Sequence, residues 1–339
     1  SSLIASVSRS NSKGYGTSSS SLETTEQMYH LNLTTQLGPK THANLGFRRA
    51  VGDGTVDYTE NALTGTLYAA PQAAASIVVS CATGVPQGFY RRFAEYAARR
   101  GFQVLTFDYR GIGKSAPDSL KGFRMSYLDW GRYDLSSAID VLAKDGLPVY
   151  MIGHSYGGQA LGLARNHHLV QAMQCYGTGA GWHGYMPLKE KVKVQVIWNI
   201  IFPPMVAAAG YLPWSRLNMG ADLPADVYHQ WRRWCRNPTY FFADPEQQAL
   251  HSQYAQVKTP IFAVSALDDD WALPASRHAF MQHYRNAPLQ FIDMAAQDYG
   301  LKEIGHMGYF RKGAEKIWDQ ALQQFAQMQP SGQPAHAPT

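Results

Sequence analysis

Cysteine is scarce in this chain: three residues in 339, at Cys81, Cys175 and Cys235. An odd number so widely spaced excludes a disulfide framework, and no Cys/His spacing matches a metal site. Two of the three fall in apolar, strand-like runs and read as small buried hydrophobes. The adjacent pair His167-His168 cannot share one helix face, so it reads as a helix rim rather than a ligand pair. No metal or cofactor is expected. Blocks of one charge sign are missing as well. The net charge is only +5 and the basic residues are scattered without interleaved aromatics, which argues against nucleic acid as a partner.

Long apolar runs are also absent. The nearest, Val194 to Trp214, is interrupted by Asn199, Pro203-Pro204 and Gly210. A membrane span is therefore not expected, and the segment 194–214 offers only weak contact with a membrane surface. The first forty or so residues have few aliphatics, much Ser and Thr, and no continuous apolar core for a secretory signal. Arg9 and Lys13 precede the first acid, Glu23, as in an organellar transit peptide. Residues 1–45 are expected to lie outside the fold, as a disordered or targeting leader, and 329–339 as a flexible tail. A cytoplasmic location is the expectation for the rest.

What is present, from about residue 55 onward, is an alternation of strand and helix signals, which predicts a mostly parallel sheet covered on both faces. Thr55–Tyr58 and Leu63–Ala69 read as an opening pair of strands, and Ser76–Cys81 as a central buried one. Gly88–Arg100 carries Phe89, Phe93, Tyr96 and Ala97 on one helical face, and Tyr127–Ala143 carries Leu128, Leu135, Ile139 and Leu142. Gln103–Tyr109, Gln171–Tyr176, Thr259–Ala266 and Leu289–Met294 continue the sheet. The alternation breaks over 179–257, a stretch rich in Trp, Tyr, Phe and Pro. That stretch is expected to fold over the strand ends as a lid, inserted between core segments 46–178 and 258–328.

The densest signal is Gly153-His154-Ser155-Tyr156-Gly157, set between the apolar run Pro148–Ile152 and a helix-like segment. Strand, sharp turn and helix around a Gly-x-Ser-x-Gly pentapeptide hold the serine on a strained corner, clear of the strand end. A serine nucleophile needs a general base, and the base an orienting carboxylate. Both follow along the chain. Asp268-Asp269-Asp270 comes just after one strand, and His306 sits in a Gly-His-x-Gly loop after the last. Asp269 has the favoured offset from its strand end, with Asp268 and Asp270 as alternatives. An oxyanion needs two donors already aimed at it. Tyr156 N–H is one candidate, and Val85 N–H, in the loop Ala82-Thr83-Gly84-Val85-Pro86, is the other; Pro86 has no N–H to give.

Asp108-Tyr109-Arg110-Gly111-Ile112-Gly113-Lys114-Ser115 after one strand, and Gly-His-Ser-Tyr-Gly-Gly after the next, resemble the α/β-hydrolase superfamily. The chain is similar to its lipase and serine-aminopeptidase-like branch, which includes monoacylglycerol lipases. It looks closest to a bacterial group in which Ala82–Pro86, Gly153–Leu163 and Gly305–Phe310 recur. Over about residues 55 to 325 the resemblance implies an α/β-hydrolase fold and a Ser155–Asp269–His306 triad acting through an acyl-enzyme. It also implies a structural role for Asp108 and Arg110. One departure stands out: the usual His-Gly of the oxyanion loop reads Thr83-Gly84 here.

A serine in this position excludes the subfamilies that use aspartate, and leaves ester, thioester and amide cleavage or acyl transfer. The aromatic lid favours a small hydrophobic ester with an acyl or aryl group. Peptidase activity would need a lid carboxylate pair drawn from Glu190, Asp222, Asp226, Asp244 and Glu246. A non-catalytic binding module is the alternative of a different class.

Overall fold

The apolar runs Ile77–Val79 and Met151–Ile152 carry no polar side chain to turn toward water, as a strand covered on both faces requires. They form the middle of a seven-stranded sheet in the computed structural model, which describes residues 24–35, 41–52, 63–70 and 72–328. The strands are β3 (Gly65–Tyr68), β4 (Ala75–Ser80), β5 (Phe102–Phe107), β6 (Val149–His154), β7 (Val170–Tyr176), β10 (Ile261–Ala266) and β11 (Leu289–Met294). Their order is β11-β10-β7-β6-β4-β5-β3, with only β3 running antiparallel to its neighbour. The helices α1 (Arg91–Ala98), α2 (Ser136–Ala143), α3 (Tyr156–Gln159), α8 (Pro274–Met281) and α9 (Glu315–Gln327) belong to this body. The expected fold class is the one observed.

This order places the site. From β4 the chain steps outward to β5, then crosses back to lay β6 on the other side of β4. Loops leaving the carboxyl ends of β4 and β6 therefore part in opposite directions, and a crevice opens between them, as open α/β sheets require. Ser80 of β4 pairs with Gly153 of β6, so the loop after Cys81 and the turn at Ser155 flank one crevice.

The insertion after β7 is helical. It holds α4 (Leu188–Val196), α5 (Phe202–Ala209), the short pair β8 (Tyr211–Leu212) and β9 (Leu223–Pro224), α6 (Ala225–Trp234) and α7 (Ala249–Ala255). Its aromatics knit it together and to the body. Trp198 meets Trp231 edge-on at 4.5 Å. Trp234 stacks on Tyr127, which in turn stacks on Tyr156 at 4.4 Å.

Several sequence expectations need correction. Within the supposed leader, β1 (Thr24–Thr35) and β2 (Thr41–Gly52) pair as an antiparallel hairpin, Tyr29 opposite Phe47 and Leu31 opposite Leu45. The expected strand at Thr55–Tyr58 and the tail at 329–339 lie outside the described residues. The helix expected over Tyr127–Ala143 starts later, with a π turn at Trp130–Leu135 leading into α2.

The prolines do not interrupt the lid helix. Leu188–Ala209 is one continuous helix of 22 residues, long and apolar enough by length and composition to cross a membrane. A π turn at Ile197–Ile201 joins α4 to α5 and leaves Pro203 and Pro204 in the first turn of α5, where a missing N–H costs least. Gly210, at φ +80°, ends it. Val194, Trp198, Phe202 and Val206 form its buried face. That face packs the helix onto the rest of the insertion, and Leu188, Val192, Val196 and Ile200 stay exposed.

Candidate active site

Ser155 stands at the corner between β6 and α3 with φ 52° and ψ −116°, a conformation costly for a residue with a Cβ. Bonds on both sides hold it there. Ser155 N–H donates to Tyr176 O (2.8 Å) and Thr178 Oγ1 donates to Ser155 O (2.9 Å). Gly153 and Gly157 make the corner sterically possible. A methyl on Gly157 would overlap the Ser80 carbonyl, and one on Gly153 would sit 2.6 Å from Gly158 Cα.

From that corner Ser155 Oγ reaches His306 Nε2 at 3.0 Å. His306 Nδ1 faces Asp269, 2.9 Å from Oδ2 and 3.1 Å from Oδ1. Asp269 has no exposure to solvent. Its Oδ1 also accepts the N–H groups of Trp271 (3.0 Å) and Ala272 (3.2 Å), which fix the carboxylate plane. The three aspartates thus have three fates. Asp268 turns the other way and accepts from the backbone N–H of Ile304 (2.9 Å) and Gly305 (3.0 Å), clamping the loop that carries His306. Asp270 is exposed.

Burial alone would lower the His306 pKa, but the adjacent Asp269 carboxylate overcomes it and raises the imidazole above its usual 6.5. His154, fully buried with its ring centroid 5.5 Å from that of His306, goes the other way. Desolvation, with the nearby His306 adding to it, lowers its pKa to about 3. His154 is therefore neutral at physiological pH, and its bonds define a relay. Ala82 N–H donates to Tyr90 Oη (2.8 Å), Tyr90 O–H to His154 Nδ1 (2.9 Å), and His154 Nε2–H to His306 O (2.8 Å). The sequence placed His154 in the turn motif but gave no sign of this second task, because its partners lie 64 and 152 residues away.

Tyr156, directly after the serine, is buried, and its hydroxyl donates to Tyr127 O (2.8 Å). The second expected oxyanion donor needs correction. Gly84, at φ +68°, closes a turn in which Val85 N–H is already given to Ala82 O at 3.1 Å. Thr83 is instead the residue of this loop that lines the cavity beside Ser155, with its hydroxyl bonded to that of Tyr127. Asp108 and Arg110 brace neighbouring loops. Asp108 accepts from Gln87 N–H (2.7 Å) and Lys114 N–H (3.0 Å), and Arg110 Nε donates to Asp134 (2.8 Å).

The cavity itself is small, about 40 Å³. Its wall comes from the body (Thr83, Tyr127, Gln159) and from the lid (Trp231, Cys235, Tyr240). None of the lid carboxylates lines it. Glu190 accepts from Trp271 Nε1 and pairs with Lys193, Asp226 pairs with Arg124, Asp244 and Glu246 with Arg233, and Asp222 accepts from Ser215 N–H.

A strained serine at a strand–helix corner, with its histidine and carboxylate on later strand ends, belongs to one known class of fold. The sequence profile of the alpha/beta hydrolase family matches residues 77–332, and the chain belongs to that family. No curated protein matches the sequence. Among solved structures, a soluble variant of monoglyceride lipase from Saccharomyces cerevisiae is 13% identical. That match has a TM-score of 0.59, over 82% of this chain and 94% of the other. An esterase from Thermogutta terrifontis is 12% identical, with a TM-score of 0.51 over 81% and 97%. A monoacylglycerol lipase from Paleococcus ferrophilus is 15% identical, with a TM-score of 0.50 over 78% and 99%. At these identities the likeness is one of fold.

Proposed function

We propose that this protein is a serine hydrolase that cleaves carboxylic esters with a small acyl or aryl group through an acyl-enzyme on Ser155. The hydrogen-bonded series Ser155 Oγ–His306 Nε2–Asp269 carries the reading. His306 takes the proton as Oγ attacks the ester carbonyl, then gives it to the departing alcohol, and Asp269 holds the ring in the tautomer that leaves Nε2 free. Water deacylates the serine by the same two proton transfers. Tyr156 N–H and Thr83, through its N–H or hydroxyl, would stabilise the oxyanion, since both residues line the cavity beside Ser155. Peptides with a free amino terminus fit less well, because the lid carboxylates that could hold an ammonium are committed elsewhere. A small cavity favours short chains. Hydrolysis of chromogenic esters from acetyl to palmitoyl, with fluorophosphonate labelling in parallel, tests this. Labelling without ester turnover would move the substrate to thioesters or acyl transfer, and neither signal would leave a binding module.

The lid helix supports a second reading, that the enzyme rests on a lipid surface. Leu188, Val192, Val196 and Ile200 recur every fourth residue and are exposed, Leu188 at 76% and Ile200 at 66%. Lys189 and Lys193 lie beside them in the sequence, which suits an anionic interface. Binding to phosphatidylglycerol vesicles should fall at least about tenfold in Val192→Glu/Ile200→Glu. Turnover of a water-soluble ester should stay the same. Equal vesicle binding by wild type and variant would remove the reading.

A further inference from the structure

Gln159 follows Ser155 by four residues, at the end of α3, and contributes to the cavity wall. It is 5% exposed. Its Nε2 donates to Gly179 O at 2.7 Å, which fixes which end of the amide is which. Its Oε1 is buried and has no hydrogen-bond partner among the described residues. Leaving a buried acceptor unpaired is costly, so one retained at the edge of a substrate cavity marks a place where a ligand supplies the donor.

Around the same cavity stand three hydroxyls. Thr83 bonds Tyr127, and Tyr127 and Tyr240 interact through their hydroxyls. Tyr240 holds this position at φ +58°, a left-handed conformation uncommon for a tyrosine. Hydroxyls can give as well as receive, whereas Gln159 Oε1 only receives. With no carboxylate in the wall to balance a cation, the donor that fits is neutral. A hydroxyl is such a group: it can donate to Gln159 Oε1 and accept from a tyrosine.

Resting on the ester-hydrolase reading, we propose that the cavity beside Ser155 selects substrates whose short chain carries a hydroxyl group, donated to Gln159 Oε1. Ser155 and Gln159 line the same small cavity, which puts the hydroxyl on the short chain close to the scissile carbonyl. It can belong to the acid half, as in a short hydroxy acid, or to the alcohol half, as in a hydroxyalkyl ester.

The test compares wild-type kcat/KM on matched pairs, with and without the hydroxyl. One arm pairs p-nitrophenyl 3-hydroxybutyrate with p-nitrophenyl butyrate, and the other pairs 2-hydroxyethyl butyrate with ethyl butyrate. One arm should favour the hydroxylated member by about tenfold or more, and which arm does so assigns the half. In Gln159→Met the ratio should fall to near one. The wild-type ratios stand alone if that variant folds poorly, and short hydroxy acids should then protect wild type from fluorophosphonate labelling better than the parent acids do. Ratios near one in both arms, with brisk hydrolysis, would overturn the hydroxyl site and leave the ester reading intact. Absence of both turnover and labelling would sink the ester reading and this site with it.

Discussion

Ser155→Ala should lose about 10⁴-fold or more of ester turnover and all fluorophosphonate labelling, with its thermal midpoint unchanged or raised. The magnitude follows from the roles of the group removed. Oγ is both the atom that attacks and the partner that holds His306 Nε2 at 3.0 Å, so nothing replaces it. The stability side follows from the backbone. Ser155 is kept at φ 52° by bonds from its own N–H and to its own carbonyl, none of which involves Oγ. Alanine tolerates the same corner as well as serine does. A variant that melts many degrees lower would mean that Oγ serves packing, and a variant that retains turnover would remove Ser155 from the chemistry.

The three adjacent aspartates offer an internal control for the second large effect. Asp269→Asn should reduce kcat by about 10⁴-fold, because an amide facing Nδ1 donates where the carboxylate accepted and favours the wrong tautomer. Asp270→Asn, at an exposed position, should be close to wild type. Asp268→Asn should fall between, since it loosens the Ile304–Gly305 clamp without touching the imidazole. The pH profile separates direct from indirect action. His306 must be neutral to take a proton, and its pKa is raised above 6.5, so kcat/KM should rise with pH along an acid limb whose midpoint lies above 6.5. The residual activity of Asp269→Asn should show that limb moved to lower pH, because the charge that raised the pKa is gone. Asp268→Asn should leave the limb near its wild-type position. A crippled Asp268→Asn beside an active Asp269→Asn would reverse the two roles.

How much of this was legible in the chain depended on distance along it. The turn at Ser155 is local, and strand, glycines and helix all lie within about fifteen residues. The acid could be chosen by its offset from a strand end, because Asp269 and Asp268 differ only in which side of one loop they face. Val85 was misplaced by a dihedral: composition does not say that Gly84 would take φ +68° and turn the next N–H inward. The lid helix was misread by applying the proline rule to an α-helical register that the π turn had already shifted. The strands of the supposed leader did leave a trace, an alternation of Tyr29, Leu31 and Leu33 and of Ala43, Leu45 and Phe47, hidden by the surrounding Ser and Thr. The cavity was not readable at all. Thr83, Tyr127, Gln159 and Tyr240 meet only because the sheet order and the lid bring them together.

The Tyr90–His154–His306 relay makes one buried ring a shared hinge pin for two loops, the one carrying Thr83 and the one carrying the base. That pin is sound only while it is uncharged. Its pKa is about 3 in the folded chain and 6.5 as a free side chain, so between those values the unfolded chain binds the extra proton. Stability from this ring is complete above pH 6.5 and drains away as the pH falls toward 3, by up to about 5 kcal/mol. Acid should therefore release both loops in one cooperative event, with tertiary circular dichroism and labelling lost together. His154→Gln, which carries no titrating ring, should flatten the decline in melting temperature between pH 6.5 and 4. If the decline keeps its wild-type slope in that variant, the acid sensitivity resides elsewhere. The same ring that aligns the two halves of the site would also set the lowest pH at which the site exists.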